Sequence, residues 1–316
     1  MTPRLRIVHA ATFVHPDRAG GAERVIADLA AGQAELGHDV TVISCADVPR
    51  RSQQPHRGFT HVRCPLAPTL RGLAFFRAVR SAIAAEVARE PPFDVLHTHQ
   101  IASATAAQRA AARSGSTARR VHSFYAPYAD ESDVERGRSW SQRVRAQVSR
   151  WLDRRTLAAS DTVFVLSEFS RSQLAALAPA CLPRVREVHP GVDTTRFFCD
   201  TGDTGDAGGA GTARGDAVRS WRVPDGTRLV VSVRRLVKRM GLDVGLDAFA
   251  RVASEVPNAQ YWIAGDGPER DALERHAASL GLSARVRFLG RIDDDRLPDL
   301  LRAADVFLLP TRALEG

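Results

Sequence analysis

Lysine is almost missing from this chain of 316 residues: among 44 Lys and Arg residues, Lys238 is the single lysine. The bias reads as the mark of a GC-rich genome rather than of a function. Cysteine is scarce as well. Cys45, Cys64, Cys181 and Cys199 form no C-x-x-C pair, and none has a histidine or cysteine at zinc-ligand spacing. That pattern excludes a zinc finger or disulfide framework and matches scattered thiols in a reducing compartment. No apolar run reaches the length of about 18 residues that a spanning helix needs. Residues 1–12 are too short and too broken for a signal-peptide apolar region, and are expected to form a buried first strand.

The length predicts two domains at about 150 residues each, enough chain to bury cores without a metal or disulfide staple. The net charge of +8 sits wholly in residues 1–200, with 27 basic and 19 acidic side chains against 17 of each in the remainder. A basic face favours phosphate groups, anionic lipid or nucleic acid. The basic stretch lacks interleaved aromatics and any RNA-binding signature, which argues against nucleic acid.

Short apolar runs alternate with helix-period segments along the whole chain. Strands are predicted at 5–10, 40–44, 95–98, 120–123, 162–166 and 185–189, and again at 229–233, 261–264, 286–289 and 306–309. Helices are predicted between them, at 22–36, 74–87, 102–112, 138–158 and 171–177, then at 242–253, 269–280 and 296–303. This rhythm implies parallel sheets in an α/β architecture with two doubly wound domains, 1–190 and 191–316. Residues 200–216 (DTGDTGDAGGAGTARGD) hold nothing apolar larger than Ala and are expected to be a flexible surface loop.

Several motifs fall at strand ends. Gly20 and Gly21 open the first helix, where missing Cβ atoms let backbone N–H groups approach a phosphate or sugar. They do not make G-x-G-x-x-G, and a tight turn explains them equally well. Gly265-Asp266-Gly267 and Gly290 follow later strands on the ligand side of a parallel sheet, although such turns need glycine anyway. Arg234, Arg235, Lys238 and Arg239 place four cations within six residues after 229–233, a clamp for a diphosphate or else a solvated basic loop. His97, His99 and His122 end strands, yet no H-E-x-x-H spacing supports metal hydrolysis. Ser167 lacks a G-x-S-x-G context and reads as a helix N-cap. In 138–158, Trp140, Val144, Val148, Trp151 and Leu152 make an apolar stripe among arginines. The stripe either packs on its own sheet or lies on an anionic membrane surface.

In order, GGAERVIADLAAGQAELGHDVTVIS, DVLHTH, SDTVFVLSEFS, VHPGVDTTRF, VVSVRRLVKRMGLDVGLDAFA, IAGDGPERDALE, VRFLGRI and ADVFLLPTRALEG resemble the family 4 retaining glycosyltransferases of the GT-B fold. The resemblance covers nearly the whole chain. It implies two Rossmann-like domains facing a cleft, with an acceptor on 1–190 and a nucleotide-diphosphate sugar mainly on 191–316. It implies transfer with retention of configuration, with no catalytic metal and no cofactor beyond the sugar donor.

By motif matching, Arg235 is the diphosphate-binding arginine and His122 the histidine near the transferred sugar. Gly20 and Gly21 would approach the phosphates or the acceptor, and Gly265, Gly267 and Gly290 would shape the nucleotide pocket. Glu315 and Gly316 match the start of the family's E-x7-E motif, whose first Glu contacts donor hydroxyls. The family usually carries Lys at the position held here by Met240, so Lys238 or, preferably, Arg239 would supply that charge. The sequence ends as E-x7-E begins, so the second domain is expected to be incomplete, 306–309 uncovered, and the chain itself of little or no transferase activity.

The alternatives are a non-catalytic nucleotide-sugar or glycan-binding fragment and a nucleotide-sugar epimerase, the latter opposed by the run of family motifs. Expected partners are the donor and a glycan, lipid-linked or small-molecule acceptor, with peripheral membrane contact through the Arg-rich helix. The expected location is the cytoplasm, at the inner membrane face.

Overall fold

The computed structural model describes residues 3–18, 20–67, 69–70, 72–89, 92–125, 140–198 and 210–312. The chain divides into two compact units, Met1–Pro190 and Gly191–Gly316.

In the first unit an eight-stranded sheet has the order β3-β4-β2-β1-β5-β6-β7-β8. The strands are β1 (Arg6–Ala10), β2 (Asp39–Ala46), β3 (Ser52–His56), β4 (Phe59–Pro65), β5 (Val95–His99), β6 (Arg119–Phe124), β7 (Thr162–Val165) and β8 (Val185–Glu187). Every pairing is parallel except the hairpin β3–β4. The helices are α1 (Gly21–Glu35), α2 (Gly72–Val87), α3 (Ile101–Arg113), α4 (Trp140–Ala158) and α5 (Glu168–Leu177). The chain builds outward from β1 to β4, then returns to place β5 on the other side of β1. That reversal puts the topological switch point at the carboxyl ends of β1 and β5.

The pleat sorts the core onto two faces. Ile7, Val40, Val42 and Phe59 pack under α1, whose Ala27, Ala30 and Ala31 permit close approach. Val8, Ala10, Ile43 and Leu96 pack under α2 and α3 through Val79, Ile83, Ala102 and Ala106. Ser167 caps α5, its hydroxyl accepting from Ser170 N at 3.2 Å.

Two elements differ from the sequence reading. The hairpin β3–β4 was not expected, because Gln53, Gln54 and Pro55 carry no apolar alternation. Pro55 is tolerated because β3 is an edge strand. Within 200–216, residues 210–216 are helical, in α6 (Ala210–Ser220), rather than a flexible loop; residues 200–209 lie outside the described set. The helix forms because Ala217 and Trp221, just beyond the polar stretch, pack with Leu300 and Ala303. An ion pair from Arg214 to Asp305 at 2.8 Å fastens its first turns.

The second unit is a parallel four-stranded sheet of order β11-β10-β9-β12: β9 (Arg228–Val233), β10 (Ala259–Ala264), β11 (Val286–Gly290) and β12 (Val306–Phe307). The remaining helices are α7 (Leu242–Glu255), α8 (Arg270–Ser279) and α9 (Leu297–Ala303). Leu242, Leu246, Phe249, Tyr261 and Leu273 form the core on one face, and Trp221, Leu229, Val231, Trp262 and Leu300 on the other. The order reverses between β9 and β12, so this sheet also has a switch point at its carboxyl edge. Val306, Phe307 and Leu309 are about half exposed. Both units are thus doubly wound α/β, the fold class that the alternating pattern predicted.

Candidate functional site

In the second unit, the loop after β9 is clamped to the turn after β10. Arg234 N donates to Ala264 O at 2.9 Å, Leu236 N to Asp266 O at 3.0 Å, and Glu269 N to Leu236 O at 3.0 Å. Leu236 is buried beneath. Two glycines make the contact possible. A Cβ on Gly265, which has φ +135°, would lie 1.9 Å from Arg234 O, and one on Gly267 would lie 2.4 Å from Leu236 O. Gly265 N donates to Gly290 O at 2.7 Å, which joins the end of β11 to the same platform. The three glycines therefore build the loop base on which the cations stand.

Those cations divide into two pairs. Arg235 and Lys238 are exposed and make no ion pair or side-chain hydrogen bond with any described residue. Arg234 and Arg239 are half-buried. Arg234 Nη1 donates to Thr311 Oγ1 at 2.7 Å. Burial lowers the Arg234 pKa below the usual guanidinium range, Tyr261 opposes this, and the like charge of Arg239 adds to it. Lys238–Met240 form one 3-10 turn, and Arg239 O accepts from Arg312 N at 3.1 Å. Glu315 and Gly316 lie outside the described residues.

In the first unit, Gly20 and Gly21 differ in kind. Glu23 folds back over Gly20 so closely that a Cβ there would sit 2.0 Å from Glu23 Oε2. A Cβ on Gly21 would meet nothing within 4 Å. Gly20 thus accommodates its own helix, while Gly21 leaves open space at the start of α1, at the sheet's switch point.

Register separates the histidines. Thr98 pairs with His122 and His99 with Ser123, while His9 pairs with His97. His9, His97, His99 and Ser123 therefore share the α1 face, and Thr98 and His122 the opposite one. Thr98 Oγ1 donates to Val121 O at 3.1 Å and lies 3.0 Å from His122 Nδ1. With the hydroxyl proton so used, His122 donates from Nδ1 and keeps its lone pair on Nε2. Burial pulls the His122 pKa down to about 4, so the ring is neutral at pH 7. His9 is likewise lowered to about 4 by burial, and His97 and His99 are held well below the usual range.

Gln33, Ser123 and Tyr125, which hydrogen-bond these rings, were not singled out in the sequence. The two-residue period of DVLHTH was the available signal, since it places His97 and His99 on one face and Thr98 on the other. A separate concavity of about 280 Å³, lined by Trp221, Arg287, Phe288, Arg291 and Arg296 among others, draws on the VRFLGRI segment but includes none of the candidate site residues.

On α4, Ala146, Asp153, Thr156 and Leu157 are buried. Three residues of the apolar stripe face outward, Val144 at 46% exposed, Val148 at 51% and Trp151 at 48%, while Leu152 is half-buried. The Arg155 guanidinium stands 4.9 Å from the Trp151 ring centroid. The side chains of Trp140, Arg143 and Arg145 lie outside the described set. No described helix is long and apolar enough to cross a membrane.

Residues 19–196 match the profile of Glycosyltransferase Family 4, and residues 214–316 match that of Glycosyl transferases group 1. The GDP-mannose-dependent alpha-(1-6)-phosphatidylinositol monomannoside mannosyltransferase of Mycobacterium tuberculosis (strain ATCC 25618 / H37Rv) is 32% identical over 166 residues, 52% of this chain and 40% of that protein. The chain thus spans about two fifths of the length of the curated relatives it matches first. Among solved structures, sucrose-phosphate synthase from Thermosynechococcus elongatus superposes with a TM-score of 0.76 at 19% identity, over 98% of this chain and 76% of that one. Anabaena Alr3699/HepE in complex with UDP and glucose gives 0.68 at 16% identity, over 98% and 74%. These likenesses establish the GT-B fold. With a single profile matching more than half of its residues, the chain belongs to Glycosyltransferase Family 4.

Proposed function

We propose that the protein transfers a sugar from a nucleotide-diphosphate donor to an acceptor hydroxyl with retention of configuration. One observation carries this reading. Arg235 and Lys238 stand exposed and unpaired among the described residues, at the carboxyl end of β9, on a loop whose shape Gly265 and Gly267 permit. Breaking the bond from sugar to diphosphate leaves negative charge on the diphosphate, and preorganised cations stabilise that charge. Arg235 is assigned to the diphosphate, with Arg239 or Lys238 supplying the second charge.

The first unit is assigned to the acceptor. Gly21 leaves room there for a phosphate or hydroxyl beside the backbone N–H groups of α1. His122 Nε2 is assigned as a hydrogen-bond acceptor for the transferred sugar. Gly290 and Gly20 shape the backbone, and Glu315 and Gly316 are assigned to the donor sugar from the family motif. The reading uses no cofactor beyond the co-substrate.

A lipid-linked acceptor is the favoured class. The support is the outward stripe Val144, Val148 and Trp151 on an Arg-rich helix, together with the phosphatidylinositol-based acceptor in the printed name of the mycobacterial relative. A cytoplasmic protein peripheral to an anionic membrane goes with this reading.

The test is a titration of the 316-residue chain with GDP, UDP, ADP and a dinucleotide control, followed by heat and thermal shift. A selective diphosphate response is expected, weakened by Arg235→Ala. Equal response to the dinucleotide control, or none from folded protein, would overturn the donor assignment. Nucleotide release from GDP-mannose only with acceptor present separates a transferase from a binding fragment.

A further inference from the structure

The polar cluster under α1 has no part in the transfer described above, and its chemistry points elsewhere. His9, His97 and His99 are each at most 2% exposed. One ring nitrogen from each lies within 4.8 Å of those of the other two. The rings are close-packed, with centroids 4.4 Å apart for His97–His99 and 4.9 Å for His9–His97.

In each ring one nitrogen is tied to a different polar group. His9 Nε2 lies 2.7 Å from Gln33 Oε1, His97 Nε2 lies 2.8 Å from Ser123 Oγ, and His99 Nδ1 lies 3.0 Å from the Tyr125 hydroxyl. Gln33 Oε1 only accepts, so His9 carries its proton on Nε2 and its lone pair on Nδ1. Metal-binding histidines show this division, with one nitrogen for the ion and the other held by a neighbour that fixes the ring. The inner pair, His9 Nδ1 and His99 Nε2, is 3.1 Å apart. Two nitrogens bound about 2.1 Å from one ion, at roughly a right angle, have about that separation.

We propose that His9, His97 and His99 form a buried three-histidine site for a divalent transition ion of the zinc class. Neutral imidazoles without a carboxylate suit zinc, cobalt, nickel or copper and disfavour magnesium and calcium, which want oxygen. The site is structural. It joins β1 to β5 where the sheet reverses: on loading, the proton between His99 Nε2 and His9 Nδ1 moves to His99 Nδ1, which then donates to the Tyr125 hydroxyl, and the two freed lone pairs bind the ion. Ions that bind only the folded state stabilise it by mass action. His122 is outside the set, since its side chain is on the opposite face of the sheet.

The experiment has two arms, because a buried site exchanges slowly in the folded protein. The chain is purified from zinc-supplemented cells and its metal content measured. In parallel, chelator-treated protein is refolded with Co2+ and its visible absorption recorded. About one equivalent of metal per chain, a Co2+ band of nitrogen coordination and a raised Tm are expected. His97→Gln should abolish all three, while the exposed His189→Gln should leave them intact. Should His97→Gln fail to fold, Gln33→Ala decides, with an expected loss of about tenfold or more in metal affinity. The proposal is overturned if wild-type protein holds no stoichiometric metal in either arm, or if His97→Gln, or Gln33→Ala in its place, binds metal as wild type does. None of these readouts depends on sugar transfer.

Discussion

Gly265 lies directly against the backbone of Arg234, so near that a β-carbon on the glycine would come within 1.9 Å of the arginine's carbonyl oxygen. The neighbour is backbone, which cannot swing aside, and Gly265 also has φ +135°. Gly265→Ala is therefore expected to cost about 1–3 kcal/mol through strain alone. It should also move the Arg234–Val237 loop. The checks are a lowered Tm and a parallel loss of diphosphate affinity. Gly21→Ala is the contrast, because a methyl there meets nothing. It should leave Tm unchanged or slightly raised while weakening binding of a phosphate or acceptor at the start of α1.

Arg235→Ala tests the charge without the scaffold. The side chain is exposed and makes no described ion pair, so its removal should leave Tm within error. A charge-assisted hydrogen bond to phosphate contributes about 1.5–3 kcal/mol, so diphosphate affinity should fall about tenfold or more. Arg239→Ala should weaken diphosphate binding as well if it stands in for the family lysine. Unchanged diphosphate affinity would return that role to Lys238. Titration calorimetry with the preferred diphosphate checks both.

Acid should unfold the first unit early. His9 and His122 have pKa values near 4 because burial disfavours the charged ring, against an ordinary value near 6.5. The unfolded chain then binds more protons than the folded one between those values, so stability rises with pH across the window. It is fully present above about 6.5 and is lost as pH falls toward 4, by about 3 kcal/mol for each histidine. Tm measured from pH 7.5 down to 4 in chelator should fall over that range, and less steeply in His122→Gln.

Trp151 tests the membrane reading. It is half exposed, so Trp151→Ala with Val148→Ser should fold as wild type does. Sedimentation with vesicles should show binding to phosphatidylglycerol but not to phosphatidylcholine alone. The double variant should lose at least half of that binding. Equal binding by wild type and variant would assign the attraction to charge elsewhere.

Much of this architecture was legible in the sequence because the buried parallel strands are short, mostly apolar runs, such as Leu229–Val233 and Tyr261–Ala264, that alternate with helix-period segments. The hairpin β3–β4 was not, because an edge strand has one solvated side and needs little apolar patterning. The helix α6 was hidden because its first turns are polar, and what fixes it is Trp221 beyond them and Leu300 much later in the chain. The site was legible as a set of strand ends but not as a geometry. Only register tells that His122 and His97 occupy opposite faces, and only the fold tells that Arg234 turns inward while Arg235 does not.

The single lysine of the chain is also one of the two exposed cations on the loop after β9. Lys238 is thereby the only side-chain amine that an acylating reagent can find. Apart from the α-amine of the chain, a fluorophore or mass tag directed at lysine has only this loop to label, with no engineered residue. Its rate of attachment becomes a direct gauge of whether the loop is occupied.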